Sequence, residues 1–196
     1  MAGGGGRIAI KLTDADADFS GVDVSRIFAS GRSNTGTGYI EHLSSAGTVY
    51  LKTGAEAEKA GTLYLHNDTS DSNYYSAGNT NTTELVSLGY GGDDAADMKK
   101  VKLVVDGYAR AAVNTDVAFA SLDVADANSY VDFEGHVLTV KKAYINGTKL
   151  PAGEYTIPAA DDNGVGVHAT YSALYNSSTT AATLLIRPDG LRLSLR

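Results

Sequence analysis

The chain has 196 residues, of which 43% are apolar and 20% are charged, so it can form a folded core and is not of the intrinsically disordered class. It has no cysteine, which excludes disulfides and thiolate metal sites, and its net charge of -7 with dispersed lysines argues against a nucleic acid partner. The 22 glycines, 12 tyrosines and only 3 prolines are typical of short strands joined by tight turns, which predicts an all-β fold.

The first half of the chain alternates short strand-like runs with glycine turns. A phrase of Ala-Gly-Thr, an aliphatic residue, Tyr and Leu occupies residues 46–51 and returns at residues 60–65. A repeated strand-and-turn unit is typical of a stacked or coiled β architecture, in which each unit buries its apolar side against the next. The strands predicted in this half are residues 7–12, 38–43, 48–52 and 62–66.

Two polar stretches, residues 67–83 and 89–97, predict long surface loops. The short run at 55–60 is too short for a stable helix and predicts a loop or a single turn. We place a soft domain boundary in the second polar stretch. It separates a glycine- and tyrosine-rich β-coil segment at 1–92 from a β-helix-like segment at 93–196, although the two could form one domain.

The second half has longer alternating runs and turns built from Asp and Asn. The dipeptide Asn146-Gly147 predicts a tight hairpin turn, and a Pro-Ala-Gly turn at 151–153 predicts a new strand at Tyr155. A Pro-Asp-Gly turn at 188–190 lies between two further runs, and predicts an antiparallel hairpin that closes the C-terminal end. The strands predicted in this half are residues 100–105, 117–124, 130–133, 137–145, 183–187 and 191–196.

The run at 138–156 contains Asn-Gly-Thr-Lys-Leu-Pro-Ala-Gly-Glu-Tyr-Thr and resembles the closing segment of large bacterial exported surface proteins of the autotransporter-passenger type. The opening Gly-Gly-Gly-Gly-Arg-Ile-Ala-Ile at 3–10, with the phrase at 46–52, resembles the glycine-rich coils of the same proteins. This resemblance implies a right-handed parallel β-helix or related solenoid, closed by antiparallel C-terminal strands. It implies no particular activity, since such coils occur in adhesins, structural proteins and polysaccharide-acting enzymes.

The start of the chain, Met-Ala followed by four glycines, lacks the basic and apolar regions of a signal peptide. No run of about 18 apolar residues is present, so no membrane span is expected. We therefore expect Met1 to begin a segment cut from a longer exported protein, which functions outside the cell or at the cell surface.

Alternation within the strands predicts which side chains point inward. The expected inward positions are aliphatic or aromatic and recur at every second residue. They are Ile8, Ile10, Val49, Leu51, Leu63, Leu65, Leu103, Val105, Leu122, Val124, Val131, Phe133, Leu138 and Val140.

Asp14, Asp16 and Asp18 alternate with alanines, so in an extended segment their carboxylates would face the same way, as a calcium site requires. The alternative is a solvated turn after the first strand. The four histidines lie far apart in the sequence and have no metal-binding spacing, although neighbouring coils could bring His42 and His66 close. No cofactor is expected, with calcium as the exception considered.

Tyr50 and Tyr64 occupy the same place in the two copies of the repeated phrase, so they could form a stacked face that binds glycans. The alternative is that the tyrosines only cover the side of the solenoid. Carboxylates suitable for glycosidase chemistry are too common to single out a pair, and there is no Gly-x-Ser-x-Gly motif. Catalysis is therefore the minority interpretation.

These observations favour a non-catalytic structural or adhesive module of a large exported surface protein. The alternative is a glycan-binding or polysaccharide-cleaving β-helix domain. The first strand, at 7–12, would lack a preceding coil, and an unpaired strand edge is a template for another chain. We therefore expect self-association through this N-terminal edge, with a polysaccharide as a further partner and no nucleic acid or membrane partner.

Overall fold

The structure is a computed structural model, and it describes residues 5–31, 45–69, 81–85 and 95–189. The predicted strand at 38–43, His42 and most of the two predicted polar loops lie outside these ranges. The all-β prediction is confirmed. The two described helices, Val24–Arg26 and Ala95–Lys100, are short 3-10 helices, and neither has the length or apolar character of a membrane-spanning helix.

The strands are short and follow one another closely. Upstream of the second 3-10 helix they are β1 (Arg7–Lys11), β2 (Thr48–Lys52), β3 (Gly61–His66) and β4 (Thr83–Glu84). Downstream they are β5 (Val101–Asp106), β6 (Arg110–Ala112), β7 (Val117–Phe119), β8 (Ser121–Val124), β9 (Tyr130–Asp132), β10 (Val137–Val140), β11 (Ala143–Ile145), β12 (Thr148–Lys149), β13 (Gly153–Ile157), β14 (Gly166–Val167), β15 (Leu174–Asn176) and β16 (Ala182–Ile186).

The strands form three mixed sheets, none of which is closed. The seven-stranded sheet has the order β1-β2-β3-β5-β8-β11-β12, the five-stranded sheet β14-β15-β9-β6-β4, and the four-stranded sheet β13-β16-β10-β7. From β4 to β11, consecutive strands leave one sheet and enter another. The strands β5, β6 and β7 lie in the seven-, five- and four-stranded sheets, and β8, β9 and β10 visit the same sheets in the same order.

The parallel register stacks identical kinds of side chain above one another. Leu63 pairs with Leu103, Leu103 with Leu122, and Leu122 with Ala143 across four strands of the seven-stranded sheet. All four side chains are buried in one apolar cluster that also contains inward residues of the other two sheets. These stacked apolar positions form the core.

The predicted runs at 117–124 and 137–145 are each wrong in one respect, because each is two strands and not one. The first run breaks at Ala120 between β7 and β8, and the second breaks at residues 141–142 between β10 and β11. The two halves of each run pair in different sheets, so the backbone must turn a corner between them. The buried positions change phase at each corner, from Phe119 to Leu122 in the first run and from Val140 to Ala143 in the second. A prediction that carries one period of two through the whole run therefore misses the corner.

The repeated phrase does not stack as two parallel coils. Its two copies form β2 and β3, which pair antiparallel as a hairpin, with Val49 opposite Tyr64 and Tyr50 opposite Leu63. The connection at 53–60 is too short for a parallel crossover, which requires a dozen or more residues. This connection consists of turns, in agreement with the predicted loop at 55–60.

The predicted inward residues are buried, except that Ile8 and Ile10 are half-buried. They do not all belong to one core, however. Val49 and Leu51 lie on the opposite face of the sheet from Leu63 and form a second apolar cluster with Ala29. The segment at 12–31 covers this outer face, so β2 is buried on both sides.

One segment, residues 148–167, covers the last parallel strand of each of the three sheets. Its strands β12, β13 and β14 pair antiparallel with β11, β16 and β15. The second arm of the predicted closing hairpin at 183–187 and 191–196 lies outside the described ranges, so the hairpin stays a prediction. Residues 182–186 form β16, which is parallel to β10 and receives β13 on its other side, and residues 191–196 lie outside the described ranges.

One strand from each side of the predicted domain boundary takes part in a pair. These are β3 and β5, which run parallel from Gly61 opposite Val101 to His66 opposite Asp106. The boundary near residue 92 stays a prediction.

Candidate functional site

The three aspartates predicted to bind calcium lie in a turn and not in a strand. The turn is closed by the Ala17 N–H, which donates to the Asp14 carbonyl oxygen at 2.9 Å, and the three carboxylates are exposed. The Asp18 carboxylate accepts from the Ser20 hydroxyl at 2.6 Å and the Ser20 N–H at 2.8 Å, which lowers its pKa. Within the described ranges, no three His, Asp or Glu side chains are grouped to hold a metal ion. Calcium binding stays a prediction.

Tyr50 and Tyr64 do not share a face. Tyr50 is opposite Leu63 and is 4% exposed in the main core, where its hydroxyl donates to the Ala60 carbonyl oxygen. Tyr64 is opposite Val49, so its ring lies on the other side of the sheet and packs on the second cluster. Paired residues share a face of the sheet, and neighbours along a strand alternate between faces. The register of this hairpin therefore places the two rings on opposite faces. The expected stack of these two tyrosines is therefore not formed.

His66 is buried at the end of β3. Its Nε2 lies 2.7 Å from the carbonyl oxygen of Ile27, and its ring centroid lies 5.3 Å from that of Phe28. These contacts fasten the segment at 12–31, the covering segment, to the sheet. His66 therefore has a structural role.

Three carboxylates lie close together near His66. Asp106 is opposite His66 in the register, and Asp123 lies on the next strand, β8. Burial raises the pKa of Asp106, and the charge of Asp126 raises it further. Burial, followed by the charge of Asp106, raises the pKa of Asp123. Shifted carboxylates of this kind are candidates for an acid-base site.

The contacts of Asp126 favour a structural role for this group. Its Oδ2 accepts from the Gly107 N–H and the Ser129 hydroxyl, both at 2.7 Å, and its Oδ1 accepts from the Asn128 N–H at 2.6 Å. The side chain therefore organises two turns at the ends of β5 and β8. None of these three carboxylates lines the clefts at the two ends of the seven-stranded sheet.

The raised pKa of Asp123 predicts a pH-dependent effect on stability. A carboxyl whose pKa is higher in the folded chain contributes stability below the ordinary value of 3.8 and loses it as the pH rises through the folded pKa. At pH 7 its charge is unfavourable, so Asp123→Asn should raise the free energy of unfolding by about 0.5 kcal/mol, the size of a solvent-screened charge effect. Urea denaturation of both proteins at pH 7 and at pH 3 measures the difference between their free energies of unfolding. This difference should vanish at pH 3, where the Asp123 carboxyl is neutral.

Asp162→Asn is the matched control, because it removes the same charge from an exposed turn. A loss of stability in Asp123→Asn at pH 7 would contradict this account and would mean that the folded chain needs the Asp123 carboxylate.

Residues 148–167 form a cap over the last parallel strands, and an aromatic group lies at this capped end, where sequence reasoning did not place one. Tyr155 on β13 contacts His168 and Tyr171, with ring centroids 5.8 and 5.9 Å away, and His168 stacks on Tyr171 at 5.3 Å. The His168 Nδ1 accepts from the N–H groups of Thr170 and Tyr171, both at 3.2 Å, and burial lowers the pKa of His168. The rings are half-buried against the core, so they fasten the cap to it.

Three clefts lie at the two ends of the seven-stranded sheet. One of about 460 Å³ lies beside β1, between Ile8 and Phe28, and a smaller one of about 250 Å³ lies between Gly5 and Thr83. The third, of about 570 Å³, lies at the capped end and is lined by Lys141, Lys142 and Lys149. The remaining lining residues come from the turn between β12 and β13, from the end of β16 and from the turn after it. Sequence reasoning noted the turn at 151–153 but did not bring it together with these lysines.

No family model, curated protein or solved structure matches this chain.

Proposed function

We propose that the chain is a non-catalytic structural or adhesive module built as a parallel β-solenoid, and that it belongs to a large exported surface protein of bacterial type. Its upstream edge is the surface through which it self-associates. The observation that carries the proposal is the order in which the strands visit the three sheets.

The solenoid interpretation is supported by the pairing between successive rounds of the chain. The strands β5, β6 and β7 pair parallel with β8, β9 and β10, and these pair parallel with β11, β15 and β16. The third round is interrupted by the segment at 148–167. In a solenoid each coil buries its apolar side on the next, which agrees with the stacked leucines of the core. A right-handed path is the expected one for parallel crossovers.

The upstream edge presents backbone groups of β1 that do not bond to β2. The Thr48 N–H donates to the Gly6 carbonyl oxygen at 3.0 Å, and the Leu12 N–H donates to the Lys52 carbonyl oxygen at 2.9 Å. In a parallel ladder this pattern means that the N–H and C=O groups of the even-numbered residues of β1 bond to β2. The N–H and C=O groups of Ala9 therefore point away from β2. Within the described ranges no strand lies beyond β1 in its sheet.

The capped end is protected against the same kind of pairing. The strands β12 and β14 have two residues each, and Pro151 and Pro158 flank β13. Short edge strands and prolines are the devices that block the addition of another strand. A head-to-tail filament through the two ends is therefore disfavoured. A twofold dimer in which β1 meets β1 of a second copy is favoured.

The test is Ala9→Pro. Proline removes the outward N–H of Ala9, while the bonds of β1 to β2 remain because they use the neighbouring residues. Static light scattering over a concentration series should give a dimer mass for the unmodified chain and a monomer mass for Ala9→Pro, with unchanged circular dichroism.

Ala9→Thr is the control, since it also changes the exposed side chain but retains the N–H, and it should still dimerise. A monomer at the highest concentration of the unmodified chain would contradict the proposal. An Ala9→Pro variant that dimerises as strongly would mean that association uses another surface.

The glycan-binding alternative is supported by a different feature from the one expected. Tyr50 and Tyr64 lie on opposite faces, whereas the lysine-lined cleft at the capped end is open and charged. A glycan function would use this cleft.

A further inference from the structure

We infer that the cleft lined by Lys141, Lys142 and Lys149 is a binding site for an acidic carbohydrate of the uronate type. This inference deepens the glycan-binding alternative and does not depend on self-association, because β1 and β12 lie at opposite ends of the seven-stranded sheet. The cleft has a volume of about 570 Å³, within the usual range of small-ligand sites.

The walls of the cleft are held in place by backbone hydrogen bonds. The Leu150 N–H donates to the Ala143 carbonyl oxygen at 2.9 Å, and the Arg187 N–H donates to the Val140 carbonyl oxygen at 2.8 Å. The Tyr155 hydroxyl also donates to the Pro151 carbonyl oxygen at 2.9 Å and so ties the turn between β12 and β13 to β13 itself. A ligand would therefore meet a preformed surface, which reduces the entropy lost on binding.

The charge of the cleft is opposite to that of the chain. Lys141 is paired with Asp189 at 2.8 Å. Within the described ranges Lys142 and Lys149 have no carboxylate partner, and both are exposed. Two lysines without a carboxylate partner in the described ranges thus line one cleft on a chain of net charge -7. This arrangement favours an anionic ligand, and an ammonium group can also donate to hydroxyl oxygens.

The rest of the lining indicates what kind of anion fits. Pro151, Ala152 and Pro188 are exposed apolar groups, and beneath them Leu150 and Ile186 are buried. An inorganic anion would leave this apolar surface uncovered. A uronate sugar has both parts of a matching ligand, since its carboxylate meets the ammonium groups and the C–H face of its ring packs on the prolines.

The experiment is isothermal titration of the whole chain with oligogalacturonate, with a neutral galactose oligomer of equal length and with oligoglutamate. We expect oligogalacturonate to bind and the other two to bind at least about tenfold more weakly, since each has only one of the two matching features. Lys142→Gln combined with Lys149→Gln should weaken binding of oligogalacturonate by about tenfold, as expected for the loss of two solvent-screened charge contacts.

Lys99→Gln combined with Lys100→Gln is the matched control, because it removes two exposed lysines from the second 3-10 helix and leaves the cleft intact. Equal losses in both double variants would mean attraction by overall charge and would overturn the site. Oligoglutamate that binds as tightly as oligogalacturonate would overturn the carbohydrate assignment. Because these variants leave β1 unchanged, their light-scattering mass reports separately on self-association.

Discussion

Leu122→Ala should lower the free energy of unfolding by about 3 kcal/mol, because the cavity lies where the surrounding strands cannot collapse into it. Leu122 is fully buried in β8, between Leu103 of β5 and Ala143 of β11 in the same stack. Both neighbours are held by parallel backbone pairing, so neither can shift to fill the space. Chemical denaturation followed by far-ultraviolet circular dichroism measures the loss.

Val104→Ala is the control for this prediction. Val104 lies on β5 next to Leu103, but its side chain is on the outer face and only half-buried. Its truncation should cost less than about 1 kcal/mol, since few atoms lose their packing. If both variants lose the same stability, the stacked apolar positions are not the core of the fold.

Gly54→Ala should lower the free energy of unfolding by about 3 kcal/mol, the upper range for forcing an atom into a filled space. A Cβ at Gly54 would lie 1.6 Å from the carbonyl oxygen of Asp14. The Gly54 N–H donates to the Ala17 carbonyl oxygen at 2.9 Å, so the same contact holds the start of the covering segment against the loop between β2 and β3. Separation of the two backbones would expose the second apolar cluster.

Amide hydrogen exchange shows which strands lose protection in Gly54→Ala. Exchange should rise first at the amides of β1 and β2, whose outer face the covering segment protects, and much less at β8 and β10. Gly21→Ala is the control, because no atom lies within 4 Å of the Cβ that it adds. Uniform exchange over the whole chain would mean that the covering segment does not fold as a separate unit on the sheet.

Local chemistry was enough to predict several features. The Asn146-Gly147 turn is confirmed, with positive φ of 50° and 74°, as a two-residue hairpin turn requires, and it joins β11 to β12. Burial at the second half's inward positions, such as Leu103 and Val131, also follows from alternation. These predictions succeed because turn geometry and a period of two are properties of a few adjacent residues.

Predictions that depended on which strands meet were less successful. The repeated phrase indicates two similar strands, but only the length of their connection makes them antiparallel and places Tyr50 and Tyr64 on opposite faces. The aspartates at 14–18 alternate as in a strand, yet the backbone turns there because it packs against Gly54. In the first case the short connection at 53–60 decides the pairing, and in the second case the contact is with a residue about 40 positions away in the chain.

By itself, the sequence determined the all-β class, most strand positions, the tight turns and the apolar positions that must leave water. Only the tertiary structure decided which face each strand buries, which sheet each half of a run enters, and that the cap comes from residues 148–167. It alone brings lysines from two places in the chain to the residues around β16 to form the cleft. The reason is physical: the period of a strand is local, whereas sheet order and register depend on pairing between segments that are far apart in the chain.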